Sequence, residues 1–257
     1  MENVFVITPI FNEKENIPRL IKSFQDITEK FESKFNFIIV DDGSTDGTIE
    51  EIECLKGNLN ILVLDYGCNK GPGYAFATGF EYLKDKITPN DIVVTMEGDN
   101  TSRIETLHLM IERLKREKVD CVLASPYAYG GGITNTGFLR TFLSHAANTF
   151  IKEMLGIRGI HTMSSFFRVY DARLIMKLQE VYQPRILMMN GFESMIELLK
   201  KIILLESSIS EMSMKLDTSL RAGKSKMKVM KTIFGYFSLY FKQKDWKSKY
   251  EFYNSNK

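Results

Sequence analysis

Two apolar rhythms alternate along the chain. Short runs rich in β-branched and aromatic side chains recur at residues 4–8, 35–40, 60–64, 92–96 and 119–124, as in strands buried on both faces. Between them apolar residues fall at helical spacing. Ile17, Leu20, Ile21, Phe24, Ile27 and Phe31 share one face, and Ile104, Leu107, Ile111 and Leu114 share another. A third helix is predicted over 71–83, opened by Gly71-Pro72-Gly73. Strands alternating with helices imply βαβ units and a mainly parallel sheet covered on both sides. Gly130-Gly131-Gly132 marks a break, after which the pattern predicts mostly helix, including a clear period from Phe192 to Ile203.

Composition adds limits. The 257 residues are 26% charged and 44% hydrophobic, ordinary for a globular chain and unlike collagen or a disordered polymer. Three cysteines, Cys54, Cys68 and Cys121, show no CxxC spacing; that disfavours a disulfide framework or a zinc site and favours a reducing compartment. The start lacks a basic segment followed by a long apolar run, so no signal peptide is expected. No window approaches the roughly 18 apolar residues of a membrane-crossing helix. His108, His145 and His161 are scattered without acidic or Cys partners at ligand spacing and read as structural or exposed.

Charge is uneven. Residues 221–257 hold ten Lys and Arg against Asp245 and Glu251, a net +8, so the preceding 220 residues carry −6 beneath an overall +2. A basic tail on an acidic body suggests an anionic partner. Met230, Ile233, Phe234, Phe237, Tyr240 and Phe241 fall on one helical face of that tail, flanked by Lys226, Lys228, Lys231, Lys242 and Lys244. A basic helix with an aromatic face suits a membrane interface; the same stripe also serves as core or as a subunit contact.

In an open parallel sheet, ligands bind beyond the carboxyl ends of the strands. The first strand is followed by Thr8-Pro9-Ile10-Phe11-Asn12-Glu13, with neither GxGxxG nor GxxxxGK[ST], which excludes the dehydrogenase fingerprint and the P-loop. The second ends in Val40-Asp41-Asp42-Gly43-Ser44-Thr45-Asp46-Gly47-Thr48, a run of oxygen acceptors that helix capping by Asp41, Ser44 or Thr45 explains only in part. The fourth ends in Met96-Glu97-Gly98-Asp99-Asn100-Thr101. Two acids two residues apart can aim oxygens at a hard cation.

These segments, with Asn69-Lys70-Gly71, resemble the ordered motifs of glycosyltransferase family 2. Further on, Ser165-Phe166-Phe167-Arg168-Val169-Tyr170, the helix opened by Gly191-Phe192-Glu193, and Arg221-Ala222-Gly223-Lys224-Ser225-Lys226 resemble motifs of its polyprenyl-phosphate branch, which is dolichol-phosphate mannosyltransferase-like. The match spans roughly residues 3–230. The resemblance implies the GT-A fold: a Rossmann-like three-layer αβα sandwich over 1–220, with 221–257 as a basic amphipathic C-terminal helical segment. It implies that Pro9, Phe11, Glu13, Val40, Asp41 and Asp42 hold the nucleotide of a nucleotide-sugar donor. Asp99 and Glu97 would hold Mg2+ or Mn2+ on the donor diphosphate, with Gly98 between them. Arg168, Arg221 and Lys226 would face phosphates, so that Asp99, Glu97 and Arg168 carry the catalysis. The chain departs from the family pattern at Glu97 (usually Asp), Phe11 (usually Tyr), Thr162 (usually Asp) and Pro126 (often Arg).

The chemistry implied is inverting transfer of a mannose- or glucose-like sugar from a GDP- or UDP-sugar to dolichyl or undecaprenyl phosphate, at the cytoplasmic face of a membrane. A hydroxyl acceptor needs a general base, and the "ED" pair that supplies it elsewhere in the family reads Glu193-Ser194 here. A phosphate monoester, with a second pKa of about 6, is already mostly ionised. Transfer to a sugar hydroxyl in surface polysaccharide synthesis, with Glu193 as base, is the alternative acceptor reading. A non-catalytic nucleotide-sugar-binding subunit is the alternative class. The tail leaves room for a homo-oligomeric contact or a membrane-anchoring partner. Nucleic acid is disfavoured, since no recognition motif accompanies the basic residues.

Overall fold

A computed structural model of the chain describes residues 2–135, 138–222 and 229–256, without the side chains of 138–145, 147 and 229–234. The first half is built as its rhythm predicts. Strand β1 (Asn3–Ile10) leads to helix α1 (Ile17–Lys30), β2 (Lys34–Asp41), α2 (Thr48–Leu55), β3 (Ile61–Asp65), α3 (Pro72–Leu83), β4 (Ile92–Thr95), α4 (Leu107–Glu117) and β5 (Cys121–Ser125). The second half holds β6 (Gly132–Thr134), α5 (Phe138–Leu155), β7 (Arg168–Asp171), α6 (Ala172–Val181), α7 (Ser194–Leu204), β8 (Ile209–Ser213), β9 (Lys215–Asp217) and α8 (Val229–Ser255). The seven-stranded sheet runs β3-β2-β1-β4-β7-β5-β8. All its pairs are parallel except those of β7, which lies antiparallel between β4 and β5.

Period-two alternation along β1 sorts side chains between two cores. Val4 and Val6 join α1 and α4 on one face through Leu20, Phe24, Met110 and Leu114. Ile7 faces the other core, with Phe76 and Phe80 of α3, Leu178 of α6 and Ile196 of α7. Helices on both sides of one sheet make the three-layer sandwich. Phe24 stacks on Phe37 at 4.0 Å between centroids, tying α1 to β2.

One expectation changes here. The region after the glycine break is not strand-poor: β7 and β8 complete the main sheet, and the break itself forms β6, which pairs with β9 in a small second sheet. The described part of the tail takes the core role that its apolar stripe allowed. Helix α8 packs against α5, α6 and α7, burying Leu239 and Trp246 in the same core as Ile196 and Leu199. No helix among the described residues is long and apolar enough to cross a membrane.

Candidate active site

The chain runs from β1 outward to β2 and β3, then returns to the other side of β1 as β4. The reversal opens a crevice beyond the carboxyl ends of β1 and β4, where ligands of open α/β sheets bind. The loops at this mouth are held by their own polar groups. Asn12 N–H donates to Ser44 Oγ (2.8 Å) and Thr45 N–H donates to Asn12 Oδ1 (2.8 Å), locking the β1 and β2 loops together. Asp41 Oδ2 accepts from Ser44 N–H (2.8 Å), and its Oδ1 takes the Ser44 hydroxyl. Neither residue caps α2; Asp46 accepts from Thr48 N–H at 3.0 Å instead. Asp42 reaches the β3 loop, accepting from the Tyr66 hydroxyl (2.6 Å), Lys70 N–H (2.7 Å) and Gly71 N–H (2.8 Å). Burial raises the Tyr66 hydroxyl's pKa, and the hydrogen bond and charge of Asp42 raise it further, so Tyr66 stays a neutral donor.

The acidic loop after β4 lies on the other side of β1. A Cβ on Gly98 would sit 2.7 Å from Ile10 Cγ2 and 3.1 Å from Pro9 O, so only glycine lets this loop press against the end of β1. Asp99 Oδ1 accepts from the Thr101 hydroxyl at 2.6 Å. Its Oδ2 accepts from Arg221 Nε at 2.6 Å and is also paired with Arg221 Nη2. Glu97 accepts from Ser102 Oγ at 2.6 Å. Burial raises the Glu97 carboxyl's pKa, and the neighbouring Asp99 charge adds to the rise, against the lowering pull of Ser102.

Arg221 arrives from far along the chain. Asp217 N–H donates to Thr101 O at 3.3 Å, and Ala222 N–H donates to Asn16 Oδ1 at 2.8 Å. Asn100 Nδ2 in turn donates to Asn16 O at 2.9 Å. The segment after β9 is thereby fastened across the mouth.

The donor chemistry suits a hard cation. Glu97 and Asp99 are two carboxylates at one strand end, and their mutual repulsion is what a divalent ion would relieve. Among the described residues no three His, Cys, Asp or Glu side chains converge to hold a metal alone. In Mg2+-type sites one or two carboxylates share the ion with substrate phosphates and water.

The sequence-predicted residues divide. Half-buried Pro9 lies at the end of β1 and half-buried Phe11 and Glu13 on the loop that follows it, with Asp41 and Asp42 beside them and Glu97, Gly98, Asp99 and Arg221 across β1. Val40 belongs instead to the core under α3, so its side chain does not line the mouth. Arg168 is the main correction. It is fully buried, its Nε donating to Ser165 O (2.7 Å) and its Nη2 to Met163 O (3.0 Å). Period two in β7 points it, with Tyr170, into the core rather than at a phosphate. Lys226 lies outside the described residues. Sequence reasoning missed Asn16, Tyr66 and Ser102. An Asn directly before an amphipathic helix, at the N-cap of α1, is the signal that could have found Asn16.

A doubly wound α/β fold with an acidic pair at its switch point defines the class of open-sheet α/β proteins that bind ligands at the strand ends. The family model for glycosyl transferase family 2 matches residues 5–179, and the chain belongs to that family. Polyprenol monophosphomannose synthase of Mycolicibacterium smegmatis is 27% identical over 179 residues, 69% of this chain and 64% of that protein. Dodecaprenyl-phosphate galacturonate synthase of Rhizobium johnstonii is 24% identical over 176 residues, 68% of this chain and 49% of its own length. The matched region thus spans less than two thirds of either relative. Among solved structures, glucosyl-3-phosphoglycerate synthase from Mycobacterium tuberculosis, in complex with phosphoglyceric acid, superposes with a TM-score of 0.65 at 16% identity, covering 94% of this chain and 80% of that one. Its complex with Mn2+, uridine diphosphate and glucosyl-3-phosphoglycerate gives 0.63 at 17% identity, with 94% and 78% covered. Both confirm the fold.

Proposed function

We propose that this chain is an inverting glycosyltransferase that moves a mannose- or glucose-like sugar from a GDP- or UDP-sugar to a polyprenyl phosphate such as dolichyl or undecaprenyl phosphate. The observation that carries the reading is the Glu97–Asp99 pair at the switch point, with the Arg221 guanidinium on Asp99 Oδ2. Family membership and the polyprenyl-phosphate relatives support it.

Each part of the mouth has a task. Pro9, Phe11, Glu13 and the Asp41–Asp42 loop hold the nucleotide. Glu97 and Asp99 would hold Mg2+ or Mn2+, which when bound would offset charge growing on the departing diphosphate. Arg221 offers N–H donors to the same charge without a protonation step. The acceptor phosphate arrives ionised, so no side chain is asked to remove its proton.

The tail supports a peripheral seat on the cytoplasmic face of a membrane. Phe237, Tyr240 and Phe241 of α8 are exposed beside exposed Phe150 of α5. Helix α8 also passes the start of α7: a Cβ on Gly235 would sit 2.7 Å from the Glu193 carboxyl carbon.

The test incubates labelled GDP- and UDP-sugars with undecaprenyl or dolichyl phosphate, with and without Mn2+. A metal-dependent lipid-linked sugar that disappears in Asp99→Asn is the expected result. Donor binding without turnover on any acceptor would replace this reading with a nucleotide-sugar-binding subunit.

A further inference from the structure

A cationic cluster stands on the mouth's other rim, away from Asp99. Lys70 Nζ lies 4.4 Å from the centroid of the Tyr74 ring and 3.4 Å from its hydroxyl oxygen. Arg185 Cζ lies 4.6 Å from the same centroid. Lys70 Nζ is also 5.2 Å from the Tyr66 ring, which packs edge-on to Tyr74 at 5.0 Å. Among the described residues no carboxylate forms an ion pair with Lys70 or Arg185. Asp42, the nearby acid, is engaged by Tyr66 and by the backbone N–H groups of Lys70 and Gly71 rather than by the lysine ammonium.

The cluster is positioned by backbone packing. A Cβ on Gly71 would meet Asn190 O at 2.4 Å, and one on Gly73 would meet Met189 O at 2.2 Å. Gly73 N–H donates to Asn190 O at 2.8 Å. The first turn of α3 is thereby seated on segment 189–190, and this contact brings the loop bearing Arg185 to the loop bearing Lys70. Two like charges gathered on one ring repel each other, and a shared anion removes the repulsion. The Tyr74 hydroxyl feels both cations: its pKa is lowered, first by its hydrogen bond with Lys70 and then by that with Arg185.

We infer that Lys70, Arg185 and the Tyr74 hydroxyl form a phosphate-binding subsite at the β3–α3 edge of the mouth, distinct from the Glu97–Asp99 position. An ammonium and a guanidinium gathered at one tyrosine hydroxyl offer donors of the kind that the oxygens of a phosphate group accept. The inference rests on the proposed reaction only for the source of that phosphate, which is either the lipid acceptor's monoester or the donor's diphosphate.

The experiment measures equilibrium binding, with no turnover required, for wild type, Lys70→Ala/Arg185→Ala and the charge reversal Lys70→Glu. The probes are undecaprenyl phosphate in neutral detergent micelles, and uridine and guanosine diphosphates with Mn2+. Thermal melting of each variant checks that it is folded. Loss of affinity by about tenfold or more for undecaprenyl phosphate alone supports the subsite and assigns it to the acceptor. The same loss for a nucleoside diphosphate supports it and assigns it to the donor. Unchanged binding of every probe by folded variants overturns it. Because binding is read directly, failure of the glycosyltransfer assay leaves this test intact.

Discussion

Asp99 is the residue on which most of the proposed chemistry converges, because its side chain carries the ion pair between the acidic loop and Arg221 of the segment after β9. Replacing it with Asn keeps the size and the Thr101 contact but removes the charge that holds Arg221 and would hold the cation. The expected result is a loss of turnover of at least about a hundredfold, with little change in melting temperature, since the Arg221 pair is half-buried and its charge is also what burdens Glu97. Steady-state kinetics beside a thermal melt checks both halves. Cysteine offers a second prediction at this scale. Cys121 is buried, and desolvation first, with Asp120 adding, pushes its thiol up to about 12 against the pull of Arg168. Cys54 and Cys68 are exposed. Since the thiolate is the reactive form, iodoacetamide at pH 8 should modify Cys54 and Cys68 in the native protein, and Cys121 only after denaturation, as read by mass spectrometry.

Among the elements, α7 and β4 hold the tests of stability. Lys201 is buried on α7; its Nζ donates to Glu197 Oε1 (2.6 Å) and Ile186 O (2.6 Å), against the Tyr182 and Trp246 rings. Glu197 in turn accepts Met189 N–H at 2.8 Å. Removing one partner strands the other charge: Glu197→Ala should cost about 3–5 kcal/mol, while Glu197→Leu with Lys201→Met should recover most of that, read as denaturant unfolding free energies. At β4, Asp91 accepts from Thr88 N–H (2.8 Å) and Asn3 Nδ2 (2.9 Å). Burial raises its pKa, but the hydrogen bonds from Thr88 and Asn3 together outweigh it and the net shift is downward. A carboxyl depressed on folding contributes stability above its unfolded value, near 3.9. That contribution is lost as pH falls through the lower folded value, so Asp91→Asn should flatten the acid limb of a stability-against-pH curve.

Element by element, legibility followed burial. β1, β2, β4 and β5 read clearly because strands covered on both faces are continuous apolar runs, and the edge strand β3 reads through its unbroken Ile-Leu-Val-Leu run. β7 and β8 did not: β7 has only four residues with charges at both ends, and β8 reads Ile-Ser-Glu-Met-Ser at a half-buried edge. The same gap hid the direction of Arg168, since a motif supplies a residue but only its strand's register supplies a face. Arg221 was legible through family resemblance alone. Nothing in its distance along the chain announces that hydrogen bonds from Asp217 and Ala222 carry it to Asp99.

At the scale of the whole molecule, the position of α8 decides between a helix that completes the core and one that also reads a membrane. Its inner side does the first through Leu239 and Trp246. Its outer side keeps Phe237 47%, Tyr240 46% and Phe241 75% exposed, with Phe252 at 72% further along. Aromatics left in water on a helix already anchored by others gain by entering an interface, and each lysine near an anionic leaflet adds about 1 kcal/mol. Lys242, Lys244 and Lys247 follow directly along the helix. Flotation with vesicles of mixed neutral and anionic lipid should therefore carry the wild type upward. Phe237→Ser/Phe241→Ser should stay at the bottom while melting normally, because neither ring is in the core. Raising salt should weaken binding of the wild type through the lysines without abolishing it. Equal flotation of wild type and variant would return α8 to a purely structural role and leave the lipid acceptor to reach the mouth by another route.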